Sequence, residues 1–138
     1  MGQIIKVIAC GLLMVMVSGI TVEAQKKDPK KKDIKQEAEK LLEKQRQVEA
    51  EREALKALYW ATNGDEWETI ANWLSDKPIT DWFGVNRNYD TGKLSIYLGN
   101  NGLKGELPPQ LFTLSTLRIL NLCNNQLSGS IPSEIGQC

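Results

Sequence analysis

The sequence predicts an α/β fold: a solenoid start of short parallel strands with irregular return segments, preceded by a helical cap and a long charged helix. Eight positions near the C-terminus recur at an offset of 24 residues. The four tryptophans lie before this repeat, and a run rich in Glu, Lys and Ala lies before most of them. Units of this length hold one strand and one return segment, and stacking the units places equivalent strands side by side.

The repeat matches polar residues as well as apolar ones, which a generic apolar sequence would not do. It divides the C-terminal part into one unit, 93–116, and a second, incomplete unit, 117–138. The matched pairs are Ile96/Leu120, Leu98/Leu122, Asn101/Asn125, Leu103/Leu127, Gly105/Gly129, Leu107/Ile131, Pro108/Pro132 and Leu111/Ile135.

Alternation within each strand separates structural positions from outward ones. Alternate strand residues point to one face, so Leu98 and Leu122 are predicted to face the core. Asn101 and Asn125 stand where the chain leaves the strand. A buried amide there can bond the backbone of neighbouring coils, and we assign both asparagines to the structure of the repeat.

The second unit, LRILNLCNNQLSGSIP from Leu117 to Pro132, resembles the plant-type leucine-rich repeat, LxxLxLxxNxLsGxIPxxLgxL. The resemblance covers about residues 53–138 and implies a leucine-rich-repeat solenoid. In the first unit, Leu94 stands two residues before Ile96, where the family usually has an apolar residue three before.

The second unit stops at Cys138, where the repeat would have leucine. Two units without a C-terminal cap would leave an open apolar end and an unpaired strand edge. We therefore expect a fragment of a longer repeat protein, a truncated product, or a domain completed by a partner. Self-association through the open end is one way to cover it.

Residues 1–24 are predicted to be a secretory signal peptide. Lys6 gives a positive start, an apolar run covers 7–17, and small residues around Ala24 offer a cut before Gln25. The rival interpretation is an uncleaved anchor, but the run is short for a span of about 20 residues. We expect an exported protein, secreted or at the cell surface, with no membrane span after cleavage.

A Lys-rich tract, 25–35, is predicted to be a solvated linker rather than a patch for an anionic surface. It precedes a charged helix, 36–62, that runs into the cap. One apolar seam repeats every seven residues from Ile34, but its companion seam is mostly charged. A single, mostly exposed helix is therefore favoured over a coiled coil. Its last part, 54–60, should pack on the core.

The segment 53–92 resembles the Trp-rich N-terminal cap that precedes plant-type repeats. Such a cap covers the apolar end of the first coil, and Trp67, Trp73 and Trp82 are suited to it. The cysteine pair that often flanks this region in plant receptors is missing, so the cap resembles that of bacterial secreted versions. An aromatic carbohydrate platform is the less favoured alternative.

Composition limits the chemistry of the 138 residues. The 17 Lys+Arg and 17 Asp+Glu balance, which gives no general attraction to nucleic acid or anionic membrane. The chain has no His, so Ser-His and Cys-His catalysis are excluded, and no zinc spacing or phosphate loop occurs. We predict no catalytic residue, no metal site and no cofactor, and a protein that is not an enzyme.

The predicted function is an exported recognition module that binds a protein or peptide on its concave strand face. Ser95 and Tyr97 point outward in the first strand, and Ile119 and Asn121 do so in the second. Tyr97 and Asn121 should stand one above the other, and a purely solvated role remains the alternative for each residue. The other functional hypotheses are the targeting and cap segment of a larger receptor or secreted enzyme, and a structural or adhesive protein that oligomerises through its helix.

Overall fold

A computed structural model describes the backbone of residues 29–131 and the side chains of residues 31–131. The predicted signal peptide, the start of the predicted linker and the residues from Pro132 onward lie outside the described residues. The chain divides into two compact units, Met1–Glu43 and Lys44–Cys138. Every described strand belongs to the second unit.

The long helix, α1, spans Pro29–Ala61. It starts earlier than expected, because residues 29–35 were predicted to be linker and are its first two turns. Lysine is a good helix former, and proline suits a first helical position, where it lacks only an unused N–H group. Up to residue 50 the side chains are largely exposed, including Ile34 at 67% and Leu41 at 60%.

The C-terminal part of α1 is buried along one face. Ala54, Leu55, Leu58 and Tyr59 are each at most 3% exposed. Trp60, which was expected to pack on the core, is instead 62% exposed. One residue advances a helix by about 100°, so the face that buries residues 55 and 58 turns position 60 toward solvent.

The segment after α1 is folded around an aromatic cluster that consists of Tyr59, Trp67, Trp73 and Trp82. Neighbouring ring centroids lie 4.8–6.1 Å apart. The indole of Trp67 donates to the Thr62 carbonyl at 2.9 Å, and that of Trp73 donates to the Phe83 carbonyl at 3.0 Å. The same core contains the inward residues of the first coil, which are Leu94, Ile96, Leu98 and Leu103.

The main sheet has the order β1-β2-β4, with β1 at Val85–Arg87, β2 at Leu94–Tyr97 and β4 at Leu117–Asn121. Strands β2 and β4 are parallel neighbours, and Ile96 pairs with Leu120. This pairing confirms the register predicted from the 24-residue repeat. Strand β1 was not predicted; it runs antiparallel to β2 and covers the other edge of that strand.

The return segments are more regular than predicted. A second sheet pairs β3, Lys104–Glu106, in parallel with β5, Gln126–Ser128. Gly105 in β3 has φ of +110°, and a Cβ there would collide with the Ala61 carbonyl at the end of α1. Glycine therefore lets the return segment pass against the helix end, and this allows the second sheet to form.

A buried ion pair joins α1 to the main sheet. Glu51 is fully buried, although the sequence pattern places it on the mostly charged seam of a mostly exposed helix. Its carboxylate accepts from both terminal guanidinium nitrogens of Arg87 and from the Thr116 hydroxyl at 2.6 Å. These donors replace the water that the carboxylate loses, so the charge is tolerated on the buried face of the helix.

Burial falls from the first coil to the second. Ile96, Leu98 and Leu103 are 0% exposed, whereas their counterparts in β4 and the following segment, Leu120, Leu122 and Leu127, are half-buried. Among residues 29–131, no strand covers the outer edge of β4. Up to residue 131, the second coil is therefore less buried than the first.

Replacing inward and outward residues of the two coils should have unequal effects on stability. We expect Leu98→Ala to lower the free energy of unfolding by about 2–5 kcal/mol, because it leaves a cavity in the core around the first coil, where Leu98 is fully buried. Leu122→Ala should lower it less, and Tyr97→Ala by about 1 kcal/mol or less. Urea unfolding of the three variants measures this order, and equal losses would contradict the register.

Removing the buried carboxylate should cost more than removing an exposed one from the same helix. Glu51→Ala leaves Arg87 without its partner, so we expect a loss of about 3–5 kcal/mol. Glu53→Ala is the matched control, because Glu53 pairs with Lys56 at the surface, where a pair contributes about 1 kcal/mol or less. Urea unfolding at neutral pH compares the two, and similar losses would contradict the assigned burial.

Tyr59 should make stability fall at alkaline pH. Burial raises its pKa to about 12, and the hydrogen bond to Asp65 and the charge of that carboxylate act in the same direction. An unfolded tyrosine ionises near pH 10, so this contribution is complete below pH 10 and is lost as the pH rises to about 12. We expect Tyr59→Phe to lose less stability than wild type between pH 9 and 11.5 in urea unfolding. Tyr89→Phe, at a position 89% exposed, should behave as wild type.

Candidate ligand-binding face

The four residues predicted for ligand contact come together on one side of the main sheet. Ser95 on β2 pairs with Ile119 on β4, and Tyr97 pairs with Asn121. Tyr97 is 43% exposed and Ile119 is 39% exposed, while the alternate residues Leu94 and Ile96 are fully buried. The two strands thus present two adjacent rows of outward side chains.

The face extends one strand further than predicted, because Asn86 on β1 pairs with Ser95 and is exposed. The segment Val85–Arg87 has only three residues, which is too short for the alternation of a strand to be recognised in the sequence. We define the strand face as the five outward residues Asn86, Ser95, Tyr97, Ile119 and Asn121.

The backbone of Tyr97 is fixed by the glycine that precedes β1. The Tyr97 N–H donates to the Gly84 carbonyl at 2.7 Å. Gly84 has φ of +79°, and a Cβ there would collide with the Tyr97 carbonyl. Only glycine allows this close approach at little cost, so the hairpin positions the strand that carries the tyrosine.

The polar groups of the face differ in whether they already form a hydrogen bond within the described part of the chain. The Asn121 side-chain carbonyl accepts from the Cys123 N–H at 3.1 Å. This bond orients the amide and leaves its NH₂ group as the donor available to a ligand. No side chain within residues 31–131 is hydrogen-bonded to the Tyr97 hydroxyl. Cys123, which follows the face, is exposed and is a free thiol.

Both repeat asparagines lie behind the face and hold its strands in place. Asn101 is buried, accepts from the Thr69 N–H at 2.8 Å and donates to the Thr69 carbonyl at 3.1 Å. The Asn125 side chain accepts from the N–H groups of Asn101 and Leu103 and donates to the Leu98 carbonyl at 2.8 Å. Both amides therefore bond the backbone of neighbouring segments.

Two negative findings apply to the described part of the chain. Across residues 29–131, no cluster of three or more His, Cys, Asp or Glu side chains is placed to hold a metal ion. In the same range, α1 does not combine the length and apolar character of a membrane span.

Comparison with known proteins identifies the repeat. The family described as Leucine Rich Repeat matches residues 116–138. A probable leucine-rich repeat receptor-like protein kinase of Arabidopsis thaliana is 44% identical over 63 residues, which are 44% of this chain. The LRR receptor-like serine/threonine-protein kinase EFR of the same plant is 34% identical over 71 residues, which are 51% of this chain. The chain spans only 7% of the length of each kinase.

A solved structure supports the same conclusion for the fold. The crystal structure of PEPR1-AtPEP1 is similar with a TM-score of 0.50 and 24% sequence identity, covering 64% of this chain and 13% of that chain. Residues 116–138 thus match the leucine-rich-repeat family, and the fold is similar to that of a leucine-rich-repeat protein of known structure. The described part of the chain is the start of a leucine-rich-repeat solenoid.

Proposed function

We propose that this chain is an exported, non-catalytic recognition module that binds a protein or peptide on the strand face. The observation that carries the proposal is the exposure of Tyr97 and Ile119 beside Asn121 on the main sheet. Tyrosine offers a large contact area and a hydroxyl with few rotatable bonds, which makes it effective in binding. The fully buried residues behind β2 keep these side chains in place without a ligand.

The size of the face favours a short partner or a short part of a larger one. Two coils and one hairpin strand present far less than the roughly 800 Å² that each partner contributes to a standard interface. A peptide in contact with a few side chains fits this area. The similar proteins agree with this idea, since several are named as receptors or receptor-like, and the solved structure is of PEPR1-AtPEP1.

Residues 53–92 serve this function as an N-terminal cap. The aromatic cluster lies in one core with Leu94, Ile96 and Leu98, so it covers the apolar side of the first coil. A solenoid needs such a cap to remain soluble. The described part of the cap has no cysteine, and packing, hydrogen bonds and the Glu51–Arg87 pair hold it.

A second candidate is the targeting and cap segment of a larger receptor. The small fraction of each similar kinase that the chain matches favours it. In that case the strand face would be one end of a longer binding surface. Sequencing the gene past the codon for Cys138 tests this candidate, and a stop codon directly after it would contradict it.

Selection from random peptides tests the recognition function. The full chain, immobilised, is incubated with a pool of random octapeptides, and the retained peptides are sequenced by mass spectrometry. We expect wild type to enrich a defined set, and Tyr97→Ala to lose at least about 10-fold in affinity for it, which is the effect of a central aromatic contact. Tyr89→Ala, at a position that lies outside the face, is the control and should retain the set. Equal binding by Tyr97→Ala and wild type would contradict the proposal.

A further inference from the structure

The two strands of the face do not match residue for residue at their start. Leu94 pairs with Leu117, but the next pair is Ser95 with Ile119, so β4 contains one extra residue, Arg118. An extra residue of this kind re-aims side chains at the point where it occurs. Arg118 and Ile119 are consecutive in the strand and are both exposed. The bulge therefore adds a cation at the edge of an otherwise uncharged face.

Arg118 has no carboxylate to neutralise it among the residues that the structure describes. The other charged side chain in the three strands of the main sheet, Arg87, is bound to Glu51. No ion pair or side-chain hydrogen bond joins Arg118 to any residue from 31 to 131. Its guanidinium keeps all its donors for a ligand, in a planar arrangement that matches a carboxylate.

A second cation lies at the same end of the strands. Lys93 precedes β2, and its ammonium donates to the Ser115 carbonyl at 2.9 Å. Ser115 lies three residues before Arg118, so Lys93 extends across the start of the second coil. The amino ends of β2 and β4 thus carry Lys93 and Arg118, whereas the strand residues toward Asn121 are uncharged.

We propose that Arg118 binds a carboxylate of the peptide partner and thereby sets which peptides the face accepts. This inference rests on the proposed function, because it assigns a ligand chemistry to the same face. Ile119 directly follows Arg118, and Asn121, which pairs with Tyr97, lies two residues further along β4, at about 7 Å from Ile119. A carboxylate on Arg118 therefore leaves the adjacent one or two peptide residues over Ile119 and Tyr97. The expected ligand carries an acidic group next to a neutral, apolar or aromatic residue.

The random octapeptide pool, prepared in two forms, separates the sources of the carboxylate. In one form the C-terminus is free, and in the other it is amidated. Enrichment of Asp or Glu in both forms assigns the group to a side chain. Enrichment only from the free form assigns it to the chain terminus. Either result supports the proposal, whereas retained peptides with neither preference would overturn it.

Three variants of the full chain connect the preference to Arg118. Arg118→Gln should bind the acidic peptides about 10-fold more weakly, as expected for the loss of one charge-assisted contact. Arg118→Lys should recover part of this affinity, because the positive charge remains but the bidentate hydrogen bonding to a carboxylate is lost. Lys31→Gln removes the same charge from the exposed start of α1 and should bind as wild type does.

The outcomes distinguish this inference from the proposed function. If wild type and Arg118→Gln retain the same acidic peptides equally while Tyr97→Ala loses them, the inference is wrong and the recognition function stands. If wild type retains no peptide above background, both are wrong. Circular dichroism and urea unfolding of each variant establish that a loss of binding is not a loss of folding.

Discussion

The asparagine hydrogen bonds between successive turns of the chain are the constraint on which the rest of the structure depends. The Asn101 amide joins the first coil to Thr69 in the segment before it, and Asn125 joins the second coil to the first. Each amide satisfies backbone groups that the bend after the strand would otherwise leave unpaired. Because the two asparagines are 24 residues apart, the same bonds set the register of β2 on β4.

That register determines which side chains are buried and which form the face. A shift of β4 by one residue against β2 would exchange the inward and outward sets of β4. In the observed register, Ile96 and Leu98 are fully buried, and Tyr97 stands outward beside Asn121. The aromatic cluster and the Glu51–Arg87 pair then close the first coil on its other side. Hydrogen bonds and buried side chains behind the face thus hold its backbone in place.

The repeat determined most of what could be predicted from the sequence. Matching Ile96 with Leu120 and Asn101 with Asn125 was enough to predict the parallel strands and four of the five face residues. The fifth, Asn86, depends on a three-residue strand that pairs only because the chain turns back after it. Glu51 did carry a signal, since it lies three, four and seven residues before Ala54, Leu55 and Leu58 on the buried face. The second sheet was missed because it depends on close contact between Gly105 and the helix end, which spacing does not reveal.

Hydrogen exchange of the backbone N–H groups of Asn101 and Leu103 tests the central claim most directly, because both groups donate to the side-chain oxygen of Asn125. In the wild-type chain these amides should be protected. In Asn125→Ala they should exchange at least about 10-fold faster, which corresponds to the loss of about one hydrogen bond, while the amides in the second half of α1 remain protected. Rapid exchange of both amides in wild type, or no change in the variant, would contradict the account.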